Sequence, residues 1–324
     1  MQNTLASHPY VKEIIDLECS STSRIEFHEK SHPILLKMGS DQEFLKQVIK
    51  RNFRDEGFIN HKWSGFNIPF FYIYETDDFV LKIHLFPSDK ERRNNLAANC
   101  VHHHNNYILS TNAFFGSGYE CFLFSNNPQV DENLEVKMKI AKRFHQKDWN
   151  PHIVKAWQPH VVIAPQSFSA TLVLWTPDEK RTTDKLRQHP LLKPIKKQLK
   201  WLAYRLGLAN KIGVAAENTY QFYPNGTTFK GVAESEYVAP MLAEVGDEVD
   251  NYCMQMMFYF LQKADLVERD LLRNLANNSS LPSYYYKWID KVLNDEEVDE
   301  VFHAPNLNIP QKQFFVEDIL KAAS

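Results

Sequence analysis

Between residues 66 and 235 the chain reads as a succession of short β-type stretches, and this pattern limits its fold more than any other feature. FNIPFFYIYE and DDFVLKIHLFP flank a turn at Thr76-Asp77-Asp78. NYILSTNAFFG and YECFLFS are split by Gly116-Ser117-Gly118. LEVKMKIAKRF, HIVKAWQPHVVIA and SATLVLWTPD follow, and ENTYQFYP and TTFKGV close around Asn225-Gly226. Aromatic and β-branched residues fill these stretches, turn formers separate them, and Asn-Gly is the strongest two-residue hairpin signal. Roughly eight or nine short strands in series imply an antiparallel sandwich or small barrel.

The flanks have a different period. Residues 1–65 read as a helical N-terminal lobe, with Ser40-Asp41-Gln42-Glu43 as a capping box ahead of Phe44, Leu45, Val48 and Ile49. Residues 236–324 read as a helical C-terminal lobe, with helices expected over 247–277, 284–293 and 312–323. A further helix, 191–206, is expected to interrupt the β region and stop at Gly207. Met254, Met256 and Met257 fit core positions better than a partner surface.

The chain carries a net charge of −3 and a pI near 6.5. No basic field is available to gather phosphates, so nucleic acid is not an expected partner. The most apolar run, Tyr252 to Leu261, is too short to span a bilayer, so no membrane is expected either. Cys19, Cys100, Cys121 and Cys253 are widely spaced and form no CxxC pair, which points to a reducing compartment. The N-terminus shows no apolar leader, and a cytoplasmic location is the expectation.

Thirteen histidines are distributed along the chain, and three are consecutive: His102-His103-His104. In extended backbone His102 and His104 share a face and His103 takes the other. A first pair of metal ligands on one wall needs a third from a neighbouring strand. His160 opens a strand and is the best placed, with His145 and His152 as fallbacks. A second histidine motif, His28-Glu29-Lys30-Ser31-His32, matches HExxH. Pro33 follows His32 directly and is expected to break the helix that this motif requires, so a zinc-protease site is not read here.

His102 and His104, with Gly116 twelve residues after His104, resemble the HxH…G signature of the cupins, and in particular of their three-histidine cysteine dioxygenase branch. His160-Val161-Val162, Pro165 to Phe168 and Leu172 to Pro177 resemble that branch's second motif, and the likeness covers roughly residues 75–180. The resemblance implies a mainly β fold: a cupin-like antiparallel β-barrel, or jelly roll, over residues 66–235 with helical extensions. It implies a metal held by His102, His104 and His160 with no carboxylate, and an oxygenase acting on a small polar substrate with O₂. Fe(II) is the expected cofactor; imidazole ligands equally suit Cu, Ni or Zn. Lys82 and His84, on the strand ahead of the HxH, stand where the branch has a carboxylate-binding arginine, and Trp175 is expected to line the substrate pocket. The branch's cysteine–tyrosine crosslink has no counterpart at Leu109 and Trp175. The expected partner is therefore a small molecule other than cysteine itself: an amino acid, thiol or related acid. Homo-oligomerisation is left open. The alternative is a non-redox cupin, acting as a small-ligand binding protein or an isomerase.

Overall fold

The structure is a computed structural model that describes residues 5–63, 68–88, 100–104, 106–125, 131–148, 151–178, 220–233, 247–301 and 314–324. The helix expected over 191–206 lies outside the described residues.

The described residues before the first strand are helical: α1 (Pro9–Ser20), α2 (Arg24–Ser40), α3 (Gln42–Asn52) and the short α4 (Glu56–Ile59). Two starts show why. Ser23 caps α2 by accepting from Glu26 N at 3.1 Å, and Asp41 caps α3 by accepting from Phe44 N at 3.0 Å. The cap is Asp41 and not Ser40, because α2 runs on through Ser40 before the chain turns. The expected break at Pro33 does not occur, and α2 continues through it. An internal proline costs about 3 kcal/mol. Burial of Phe27, Ile34, Leu35 and Met38 offsets that cost.

Among the described residues the β region holds eleven strands. They are β1 (Phe70–Glu75), β2 (Val80–Phe86), β3 (Tyr107–Phe115), β4 (Glu120–Phe124), β5 (Glu135–Val136), β6 (Ile140–His145), β7 (His152–Val154), β8 (His160–Ile163), β9 (Ser169–Pro177), β10 (Tyr220–Asn225) and β11 (Thr228–Ala233). All pairings between them are antiparallel. They form a five-stranded sheet in the order β1-β2-β9-β3-β7 and two three-stranded sheets, β6-β4-β8 and β10-β11-β5. Among the described residues the ladders form these three sheets and not one closed ring. Asn225-Gly226 makes the expected hairpin, with Asn225 opposite Thr228 and Gly226 at φ +66°. The stretch LEVKMKIAKRF divides into β5 and β6, which enter different sheets; Leu134, just before β5, takes a left-handed φ of +60°.

Gly116 ends β3 at φ +76°, and a Cβ there would lie 1.8 Å from the Phe168 carbonyl oxygen. Only glycine lets the β3–β4 turn pass this close to the start of β9.

The described residues after the last strand form α5 (Asp247–Lys263), α6 (Arg269–Ala276), α7 (Ser283–Leu293) and α8 (Val316–Ala322). The single helix expected over 247–277 is two. Asp265 adopts φ +55°, and Leu266 N bonds to Leu261 O at 2.8 Å, closing α5 in a left-handed cap.

Alternation along the strands separates two faces of the five-stranded sheet. Leu81, Ile83, Leu85, Ala170, Leu172 and Leu174 face outward and share one core with the helices of both ends of the chain. Met254, Met256 and Met257 are fully buried in that core, as expected. Phe86, Leu109 and Val173 face inward, against Tyr119, Cys121, Leu123 and Phe144 of the β6-β4-β8 sheet and its approach. The candidate site is built on this inner space.

Candidate metal centre

The three consecutive histidines precede β3 and are not part of a continuous ladder. Two isolated antiparallel bridges fix them: Val101 to Phe222, and His102 to His160. At the second, His102 N donates to His160 O at 2.9 Å and His160 N donates to His102 O at 2.8 Å. The mutual pair brings the two side chains together across the gap between sheets.

The rings of His102 and His160 lie 4.3 Å apart at their centroids, those of His104 and His160 4.3 Å, and those of His102 and His104 5.2 Å. One nitrogen from each can be chosen so that all lie within 4.8 Å of one another. Among the described residues no other set of metal-capable side chains does so. His160 is buried, and His102 and His104 are half-buried. Burial pushes all three imidazoles below their ordinary pKa, His102 against its hydrogen bond to Cys100 O; His104 and His160 are pushed well below, and there neighbouring imidazoles add to the effect. They are therefore neutral near pH 7, with ring lone pairs free of protons.

The backbone sets which nitrogen offers that lone pair. His102 Nδ1 lies 3.0 Å from Cys100 O, and His160 Nδ1 lies 3.1 Å from Gln158 O. A carbonyl only accepts, so Nδ1 carries the hydrogen in both rings and Nε2 is left as donor. Such outer contacts orient metal-binding histidines generally. His104 Nδ1 is buried with no hydrogen-bond partner. A buried, orphaned nitrogen beside two pre-oriented imidazoles fits a metal ion well.

The remaining residues singled out from the sequence fall as follows. Lys82 and His84 sit on the inner face of β2, opposite Val173 and Thr171 of β9. The Lys82 ammonium lies 4.3 Å from the Phe70 ring centroid and 4.6 Å from that of Tyr72. Burial lowers its pKa, against the pull of Glu75. Burial, with Lys82 nearby, pushes His84 to about 3. Trp175 packs on His104 at 4.5 Å, and the exposed Tyr107 lies 6.2 Å from Trp175. The His103 ring packs on Trp157 at 5.3 Å. The fallback ligands lie elsewhere: His152 stacks on Phe144 at 3.9 Å, and His145 Nδ1 accepts from Lys147 N at 3.2 Å.

The HExxH motif is helical, contrary to the sequence expectation, yet it builds no open site. His28 is fully buried and uses both nitrogens, Nδ1 with Ser110 Oγ and Nε2 with Thr176 Oγ1, each at 2.8 Å. These contacts pin α2 to the outer face of β3 and β9. Tyr223, which the sequence suggests as core or pocket lining, is buried in one cluster with Cys100 beside the His102 segment, a neighbour that sequence reasoning missed; the Tyr223 hydroxyl donates to Gln221 Oε1 at 3.2 Å. Burial raises the pKa of Cys100 and Tyr223. No local signal links residues so far apart in the chain.

No family model matches the chain, and no curated protein matches it. Solved structures similar to part of it include the cupin domain of Cnp3 from Schizosaccharomyces pombe, at 12% identity and a TM-score of 0.24, covering 37% of this chain and 65% of that one. A protein with a double-stranded β-helix domain from Klebsiella pneumoniae matches at 14% identity and a TM-score of 0.22, over 35% of this chain and 78% of that one. The DMSP lyase DddQ from Ruegeria pomeroyi matches at 15% identity and a TM-score of 0.21, over 33% of this chain and 42% of that one. At these identities and scores the chain is not assigned to a family.

Proposed function

We propose that the chain is a metal-dependent oxygenase of the cupin class, holding Fe(II) on His102, His104 and His160 and oxidising a small polar substrate that carries an acidic group. The observation that carries this reading is the triangle of neutral imidazoles whose donor nitrogens lie within 4.8 Å of one another. In this reading residues 66–235 are the cupin unit and the helices at both ends are extensions of it. Imidazole donors alone do not choose among Fe, Cu, Ni and Zn. Bound iron supplies the redox chemistry that oxygen insertion needs.

The chain's own residues would do the rest. Lys82 is a cation in an inner wall where its neighbours on β9 are Val173 and Thr171, so an anionic group gains from docking there. His84, two residues on and on the same face, would donate to or accept from that substrate. Trp175 would form a flat apolar wall beside His104, holding the substrate and excluding water. All four cysteines are free thiols, which accords with a reducing, cytoplasmic setting.

The second reading, a non-redox ligand-binding protein or isomerase, draws on Lys82 and His84. Half-buried together on one face, a cation and a neutral imidazole can bind and shuttle a proton without a metal. Oxygen uptake separates the two. Iron-loaded protein incubated with panels of amino acids, thiols and small acids should consume O₂ with at least one of them. Lys82→Met should raise the KM for that substrate far more than it lowers kcat. Tight binding of a small acid by metal-free protein, with no O₂ uptake on any panel, would favour the second reading.

A further inference from the structure

Trp157 is the strained residue nearest the histidine triangle. Its φ is +61°, in the left-handed region where a Cβ crowds the adjoining carbonyl. Among the described residues the other non-glycine positions of this kind are Leu134, Asp265 and Asp295, and aspartate tolerates that region well. Large residues stay there only where their surroundings over-determine them.

The surroundings of Trp157 are specific. It belongs to the turn between β7 and β8, closed by Gln158 N on Lys155 O at 3.2 Å and by Lys155 N on Gln158 Oε1 at 3.2 Å. Gln158 Nε2 also donates to Phe124 O at 3.2 Å, and Gln158 O receives the His160 ring. The Trp157 ring lies on His103, the middle histidine of the run. The 102–104 segment is therefore gripped twice, through the backbone between His102 and His160 at the start of β8 and through the rings of His103 and Trp157 in the turn before it. No continuous ladder fixes that segment, since β3 begins only at Tyr107. In extended backbone a slip of one residue would exchange His103 for His102 and His104 on the inner face.

We infer that His103 and Trp157 are a positioning pair for the histidine triangle: their ring contact, held by the left-handed turn, sets which imidazoles of the run face His160. This rests on the three-histidine reading of the site. It explains why the residue at a glycine-like φ is a tryptophan, and why a third histidine stands between two ligands.

The test is titration of the folded full chain with cobalt(II) alone, against a competing chelator, for wild type, His103→Ala, Trp157→Gly, Trp157→Phe and the double variant His103→Ala/Trp157→Gly. Melting of the metal-free proteins is followed in parallel, with Trp157→Ala added. His103→Ala and Trp157→Gly should each weaken cobalt binding about 10–100-fold, the range for outer contacts that orient metal ligands. The double variant should lose no more than the larger single loss, because both changes remove one contact. Trp157→Phe should recover most of the affinity. Metal-free Trp157→Gly should melt above Trp157→Ala, since glycine adopts the left-handed φ without strain. Wild-type affinity in both His103→Ala and Trp157→Gly would overturn the inference, and so would losses that multiply in the double variant. A wild-type chain that takes up no cobalt would overturn the three-histidine reading itself, and the positioning role with it.

Discussion

Two histidine motifs in this chain have almost the same ingredients and opposite fates. His28 and His32 stand one turn apart on α2; His102 and His104 stand two residues apart in an extended segment. The helical pair matches the better-known metal signature, yet His28 has spent both ring nitrogens on Ser110 and Thr176. The extended pair has spent one nitrogen of His102 on a backbone carbonyl and keeps the other facing His104 and His160. What separates the two motifs is therefore which ring nitrogens are already hydrogen-bonded, not the spacing of the motif.

The largest effect that would sharpen this contrast is on metal retention. His160→Ala should leave two imidazoles, and two alone make a weak, easily exchanged site. Metal analysis after dialysis should find wild type loaded and this variant empty, with the circular dichroism of both alike. Retention of stoichiometric metal by His160→Ala would break the contrast.

Next comes stability on the helical side. His28→Ala should destabilise the fold by about 2–5 kcal/mol, since it leaves the two buried hydroxyls of Ser110 and Thr176 unpaired and opens a small void. Denaturant unfolding would measure this. Bound metal should be unchanged.

Acid response is smaller and follows from the same histidine. Burial holds His28 at about 3, below its unfolded value near 6.5. The unfolded chain therefore binds the extra proton first as pH falls. The stability that His28 contributes as a neutral ring is full above 6.5 and is lost as pH drops from there toward 3. The slope is about 1.4 kcal/mol per pH unit for this one group. His84 at about 3 and His152 at about 4 add to it with the same sign. Unfolding curves between pH 7 and 4 should therefore fall less steeply for His28→Gln than for wild type. Equal slopes would show that His28 does not titrate as placed.

Most of the β region could be read in the sequence. The alternation of Leu81, Ile83 and Leu85 against Lys82, His84 and Phe86 assigns the two faces of β2 from the pattern alone, and Asn225-Gly226 marks the β10–β11 hairpin. His102, His104 and His160 could be picked out because strand periodicity and a resemblance pointed to the same residues. The misses have a common cause in contacts distant along the chain. Local propensity makes Pro33 a helix stop, but the apolar residues of α2 are buried against the rest of the fold and override it. The partners of His28 lie 82 and 148 residues away, so nothing near the HExxH run announces that its nitrogens are used. The break after Lys263 depends on one left-handed residue, Asp265, which carries no strong signal of its own. The grip of Trp157 on His103 depends equally on a backbone angle that no spacing reveals.

The most direct test of the account is an anaerobic titration with iron(II) of three proteins: wild type, the helix-side double variant His28→Gln/His32→Gln, and the strand-side double variant His102→Ala/His104→Ala. The account predicts one tightly bound ion per chain in wild type and in the helix-side variant, and none in the strand-side variant. Binding that survives in the strand-side variant, or disappears in a folded helix-side variant, would contradict it.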